Sequence, residues 1–160
     1  NTAHELGHKK GAGERLLARF ALAPSGYGHF AIEHVRGHHR DVATPEDSAS
    51  SRMGESYYRF ILREIPGAFR RAWRIESERL ARHGQRPVSL ANEILQNAAI
   101  TAALWFGLLA WLGPLVLPFL LIQAAFAYSL LSSANYVEHY GLRRGRDARG
   151  RYLRPEPRHS

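Results

Sequence analysis

Two hydrophobic patterns divide the chain. Up to about residue 97 the apolar positions are interleaved with charges at helical spacing, whereas the 37 positions from Ala98 to Ala134 carry no charge at all. Upstream, residues 1–23 predict a helix closed by Pro24-Ser25-Gly26, and Phe30 to Arg40 predicts a second, shorter one. Thr44-Pro45-Glu46-Asp47-Ser48 reads as a loop in which Asp47 or Ser48 is placed to cap the next helix. From Glu55 to about Arg82 the pattern is helical again, with a break expected at Pro66-Gly67. There Tyr58, Ile61, Ile65, Phe69 and Trp73 fall near one stripe, with Arg59, Arg63, Arg70 and Arg74 largely off it. An ordinary core-facing helix has this pattern, and so does a helix lying in the plane of a membrane interface. The adjoining uncharged run favours the second reading.

As one straight helix those 37 residues would extend roughly 55 Å, well beyond a hydrocarbon core of about 30 Å. Gly113-Pro114 lies where a reversal is needed. The run therefore predicts a transmembrane hairpin, with spans at 91–112 and 115–135, rather than one buried helix of a large soluble protein. Such a hairpin brings Glu93 and His139 out on the same membrane face. The expected fold is all-α: a fragment of a membrane helical bundle, with cytoplasmic or interfacial helices and a loop in 1–54, an amphipathic helix in 55–87, the hairpin, and a basic polar tail in 142–160. The chain opens without Met or a signal-peptide pattern, so an internal fragment is expected.

Charge sharpens the topology. Lys and Arg total 22 against 14 Asp and Glu, a formal net charge of +8, and only Lys9 and Lys10 are lysine. Apart from Tyr152 the tail arginines have no stacking aromatics among them, and no recognition motif accompanies them, which argues against nucleic acid. Arginines flanking an apolar run instead fit anionic lipid and place that face in the cytoplasm. The absence of cysteine excludes disulfides, Fe–S clusters, thiolate zinc sites and a cysteine nucleophile.

Nine histidines then direct attention to a metal. His4-Glu5-Leu6-Gly7-His8 places two imidazoles one helical turn apart, a spacing shared by ligand pairs, by solvated helix faces and by the H-E-x-x-H signature of zinc proteases, with Glu5 as the base. His34-Val35-Arg36-Gly37-His38-His39 repeats the i, i+4 pair and adds a third donor about 100° round the helix. Five such donors exceed the three protein ligands of a catalytic zinc, so two metals sharing the set is the more economical account. Asn135-Tyr136-Val137-Glu138-His139-Tyr140-Gly141 sets another histidine at the end of the second span, where His139 and Gly141 also suit a helix terminus. His29 ranks lower as a ligand or hydrogen-bond donor to one. His83, beside Gly84 at a helix end, and His159 in the tail read as structural or solvent-facing.

H-E-L-G-H-K at 4–9, E-H-V-R-G-H-H at 33–39 and N-Y-V-E-H-Y-G at 135–141, with the loop Thr44-Pro45-Glu46-Asp47 and Arg52-Met53-Gly54-Glu55-Ser56, resemble the bacterial membrane alkane 1-monooxygenases, in family order and along essentially the whole chain. The resemblance implies a multi-pass enzyme of the bacterial inner membrane, its active site toward the cytoplasm. Such an enzyme uses two non-haem Fe ions and O2 to hydroxylate the terminal carbon of an n-alkane, with electrons from rubredoxin. By the same resemblance His4, His8, His34, His38, His39 and His139 match ligand positions, and a further H-x-x-H-H box expected downstream is not found after Gly141. Glu5, Glu33 and Glu138, each next to one of these histidines, are candidates to fix imidazole tautomers. The chemistry agrees with the residue types, since an alkane has no polar handle for acid–base or nucleophilic groups. Uncharged spans rich in Ala, Gly and Leu would wall a channel for the chain. The competing readings are a related His-box desaturase or aromatic side-chain hydroxylase, a membrane zinc metalloprotease built on H-E-L-G-H, and a non-catalytic membrane fragment.

Overall fold

The computed structural model describes residues 11–156, and among them every regular element is helical apart from one isolated bridge between Arg146 and Tyr152. Helix α1 (Ala12–Leu22) starts where the Glu14 carboxylate accepts the Gly11 N–H at 3.0 Å. It tightens into a 3-10 turn at Ala23–Ser25 and reverses at Gly26, whose φ of 67° is readily adopted only by glycine. His4, Glu5 and His8 lie outside the described residues.

The second predicted helix is present but not regular. An α turn (α2, Phe30–Glu33) passes into a π turn (His34–His38) and returns to α geometry in α3 (His39–Asp41). Gly37 sits in the π turn, and a Cβ there would lie 2.9 Å from Arg71 Nε and 3.1 Å from Ile75 Cδ1. Only glycine lets this widened turn approach the next helix so closely.

Helix α4 (Tyr57–Arg82) runs through Pro66 without the expected break. Proline removes one N–H, which would have bonded to the Leu62 carbonyl, but Pro66 and Leu62 are both exposed, so water can satisfy that carbonyl. Just beyond, Gly67 lies against Ser48 and Arg71 donates to Glu46 and Asp47 of the preceding loop. The N-cap is Ser56, not Asp47 or Ser48. The faces of α4 differ from the core-facing alternative, in which the apolar stripe would be buried. Phe60, Glu64, Ala68, Arg71, Ala72, Glu76 and Leu80 are buried, while Tyr58, Leu62 and Phe69 are exposed.

Helices α5 (Glu93–Leu112) and α6 (Val116–Glu138) form the hairpin, turning at Gly113 with φ of 80°. Their ends fall within about three residues of the predicted 91–112 and 115–135. At about 1.5 Å per residue they extend roughly 30 and 34 Å, long enough to cross a hydrocarbon core. Asn92 caps α5, its Oδ1 accepting from Ile94 N at 2.8 Å and Leu95 N at 3.2 Å. Phe106, Trp111, Phe119, Ile122 and Phe126 face outward, whereas Asn97, Ser132 and Asn135 are buried. That inversion of the soluble-protein pattern, with the apolar helices, is the arrangement of a membrane protein.

Helix α4 lies across one end of the hairpin. Its first residue meets the end of α6, Tyr57 Oη donating to the Ser129 carbonyl at 3.0 Å. Its last turns meet the start of α5, where Arg79 donates to the Ala91 carbonyl at 2.7 Å and Glu93 N donates to Glu76 at 2.7 Å. Glu93 and His139 therefore lie at the same end of the hairpin, beneath this helix.

Candidate metal centre

The π turn and the end of α6 converge under α4. His38 and His139 meet edge to face with ring centroids 4.7 Å apart. His34 stacks on His38 at 5.4 Å and packs against His39 at 4.4 Å. Because a π turn closes i to i+5, His34 and His39 come together, their Nε2 atoms 3.1 Å apart. Two imidazole nitrogens on one ion at about 2.1 Å have a comparable separation. Among the described residues no three imidazole or carboxylate donors already converge on one point. His4 and His8 lie outside those residues.

Two of these rings are held by their Nδ1 atoms. His38 Nδ1 lies 2.9 Å from Asp47 Oδ2, and His139 Nδ1 lies 2.9 Å from the Asn135 carbonyl. A carboxylate and a carbonyl only accept, so each Nδ1 carries the hydrogen and, in the neutral ring, Nε2 keeps its lone pair. His139 is 2 % exposed, and its Nε2 has no hydrogen-bond partner. Burial, then the neighbouring His38, lower its pKa and favour the neutral form. A buried, neutral, unpaired imidazole nitrogen facing other imidazoles is the donor set that a borderline transition metal takes.

Behind His38 stands a buried ionic network. Asp47 accepts from His38, from Ser50 Oγ at 2.6 Å, from Ala49 N at 3.2 Å and from Arg71 Nη2. Burial pushes the Asp47 carboxyl up, but the His38 bond, Arg71 and Ser50 together hold it well below the usual carboxylate range. Arg71 also donates to Glu33 and, at 3.1 Å, to the Glu46 carbonyl. Glu33 is thus buried, but its partner is Arg71 rather than an imidazole. Glu138 is exposed, and among the described residues no hydrogen bond joins it to a histidine.

The box at 135–141 is knit to the loop at 51–55. Ser51 Oγ donates to the Tyr136 carbonyl at 2.7 Å, Tyr136 Oη to the Glu55 carbonyl at 2.6 Å, and Gly54 N to Tyr140 Oη at 3.0 Å. Gly141, at φ of 70°, ends this stretch as expected and donates to the Ser51 carbonyl at 3.0 Å. Beyond it, a cavity of about 520 Å³ lies between the loop and residues 141–152. Arg52, Arg143, Arg144 and Arg146 line it together with Ala43, Pro45, Met53 and Leu142, and neither span of the hairpin contributes to it.

The other histidines stand apart. His29 is buried against Tyr27 and Phe69, at 4.8 and 5.2 Å, and burial lowers its pKa to about 4. His83 is exposed at the end of α4, its Nδ1 2.8 Å from the Arg79 carbonyl, and His159 lies outside the described residues. Sequence reasoning missed Asp47 as the partner of His38, and it missed Arg71 and Glu64. Asp47 read as a helix cap, while Arg71 and Glu64 fall in the helical stretch from Glu55 to Arg82 with no signal that singles them out.

Over all 160 residues the chain is 60% identical to an alkane 1-monooxygenase of Pseudomonas putida and 59% identical to alkane 1-monooxygenase 1 of Alcanivorax borkumensis, in each case covering 40% of the relative. A xylene/toluene monooxygenase hydroxylase component of Pseudomonas putida is 34% identical over 146 residues, 91% of this chain and 39% of that protein. The chain thus spans about two fifths of the length of these curated relatives. The fatty acid desaturase profile matches residues 1–160, so the chain belongs to the fatty acid desaturase family.

Proposed function

We propose that this chain is the histidine-rich core of a membrane di-iron oxygenase that hydroxylates n-alkanes at the terminal carbon, using O2 and electrons from rubredoxin. In this reading His4, His8, His34, His38, His39 and His139 are ligands shared between two irons. The hairpin crosses the bacterial inner membrane, and the His-bearing end, followed by the arginine tail, faces the cytoplasm. The observation that carries the reading is the buried, unpaired Nε2 of His139 packed against His38. When bound, the irons supply the oxygen activation that no side chain here offers to an unactivated C–H bond. The chain's own groups orient and protect. Asp47 and the Asn135 carbonyl fix the Nδ1 hydrogens of His38 and His139, Arg71 balances the charge of Asp47 and Glu33, and burial keeps His38 and His139 from water while His39 stays exposed.

Relatives named alkane 1-monooxygenase at 59–60% identity favour hydroxylation over desaturation. A zinc protease built on His4, Glu5 and His8 leaves His34, His38, His39 and His139 without a role. The test is turnover of the full-length protein, supplied with reduced rubredoxin, on n-alkanes of graded length under ¹⁸O2. The expected product is a 1-alkanol carrying one labelled oxygen. An alkene product, unlabelled alcohol, or peptide cleavage with bound zinc would contradict the proposal.

A further inference from the structure

Helix α4 buries a carboxyl group for which the proposed chemistry has no stated use. Glu64 is 1 % exposed and forms no ion pair among the described residues. Its two oxygens are both spent on α6: Oε1 accepts from Asn135 Nδ2 at 2.7 Å, and Oε2 accepts from Ser132 Oγ. A buried carboxyl without a countercharge is costly, and simple packing of two helices would be better served by leucine. Burial raises its pKa accordingly.

The geometry beyond Asn135 gives that cost a purpose. Ser132 and Asn135 stand three residues apart on one face of α6, one turn before His139. Asn135 is gripped by its side chain from Glu64, while its carbonyl accepts both the His139 backbone N–H at 3.1 Å and the His139 ring at 2.9 Å. Seven residues along the same buried face, Arg71 reaches Asp47, which holds His38. One face of α4 therefore positions both rings of the His38–His139 pair, through Asp47 on one side and Asn135 on the other.

We propose that Glu64 is a positioning residue for His139: its carboxyl clamps Asn135 and Ser132 and thereby sets the carbonyl that aims the His139 imidazole. This rests on the metal-centre reading above. The test compares the full-length wild-type protein with Glu64→Leu, Glu64→Gln, Asn135→Ala and His139→Ala in detergent. Cobalt(II) serves as the probe, read by metal retained against a graded chelator and by its ligand-field spectrum. Glu64→Leu and Asn135→Ala should each weaken retention roughly 10–100-fold and shift the spectrum. Glu64→Gln still accepts from Asn135 through its oxygen and donates to Ser132 through its nitrogen, so it should remain within about threefold of wild type.

Wild-type retention and spectrum in Glu64→Leu would overturn the proposal, as would a Gln variant as impaired as the Leu variant, since charge rather than geometry would then matter. If Glu64→Leu fails to fold, Asn135→Ala decides by the same criterion. His139→Ala separates the two claims. Undiminished cobalt binding in that variant refutes the metal centre itself, whereas loss there with full binding in Glu64→Leu refutes only the role of Glu64.

Discussion

Replacing Asp47 by Asn tests how the site is held, because the change preserves shape and removes one charge. In the wild type the carboxylate accepts four hydrogen bonds, one of them from His38 Nδ1 at 2.9 Å. The amide has only one accepting oxygen, which stays with Arg71 and the Ala49 N–H, both of which donate to Oδ1 in the wild type. Its NH2 then faces His38, whose Nδ1 can bond to it only by accepting, which moves the ring hydrogen to Nε2 and removes the lone pair offered to a metal. Loss of such an orienting partner costs about 10–100-fold in metal affinity or activity. Leaving Arg71 with one carboxylate fewer adds a stability cost on the order of 1–3 kcal/mol. The assay is iron retained per chain after gel filtration of the full-length protein, alongside alkane turnover and thermal unfolding in detergent. Metal should fall much further than the stability loss accounts for. A variant that unfolds earlier yet keeps wild-type iron and turnover would refute the tautomer argument and leave Asp47 a purely structural residue.

The same geometry sets three further outcomes. Arg71→Met strands Glu33 and Asp47 as buried carboxylates and should cost about 3–5 kcal/mol in unfolding measurements, with part of it recovered by adding Glu33→Gln. His29 is neutral in the fold because burial lowers its pKa to about 4, whereas the unfolded chain takes up its proton near 6.5. It therefore favours the folded state fully above that higher value and progressively less as pH falls toward 4, a loss of about 3 kcal/mol that His29→Phe should largely remove from the acid-unfolding profile. In turnover assays at matched expression, His38→Ala should be nearly inactive, and His83→Ala, a change at an exposed helix end worth about 1 kcal/mol or less, nearly normal. Glu138→Gln should lie closer to His83→Ala, since Glu138 is exposed.

The hairpin was legible because a charge-free run has few alternatives, and the Gly113-Pro114 reversal marks itself. Motif spacing picked out the histidines, yet it could not foresee the π turn that pairs His34 with His39 rather than leaving His39 about 100° away from His38. Helix α4 was legible as amphipathic, but not which polar residues it buries. Hydrophobic periodicity does not register that the face turned to the protein carries Glu64, Arg71 and Glu76, while Tyr58, Leu62 and Phe69 point outward. Pro66 looked like a break because local rules do not register the tertiary contacts of Gly67 and Arg71 with the loop at 46–48. Likewise, sequence adjacency suggested Glu33 and Glu138 as partners of the imidazoles. The observed partner of His38, Asp47, arrives from a loop nine residues away, which only the tertiary fold brings near.

The most direct test of the central claim is metal content, measured together with ⁵⁷Fe Mössbauer spectra, for the full-length protein and its His139→Ala variant. The expected result is about two high-spin, nitrogen-ligated irons per chain in the wild type and a marked loss in the variant. A single zinc, or iron content and spectra unchanged by removal of His139, would contradict it.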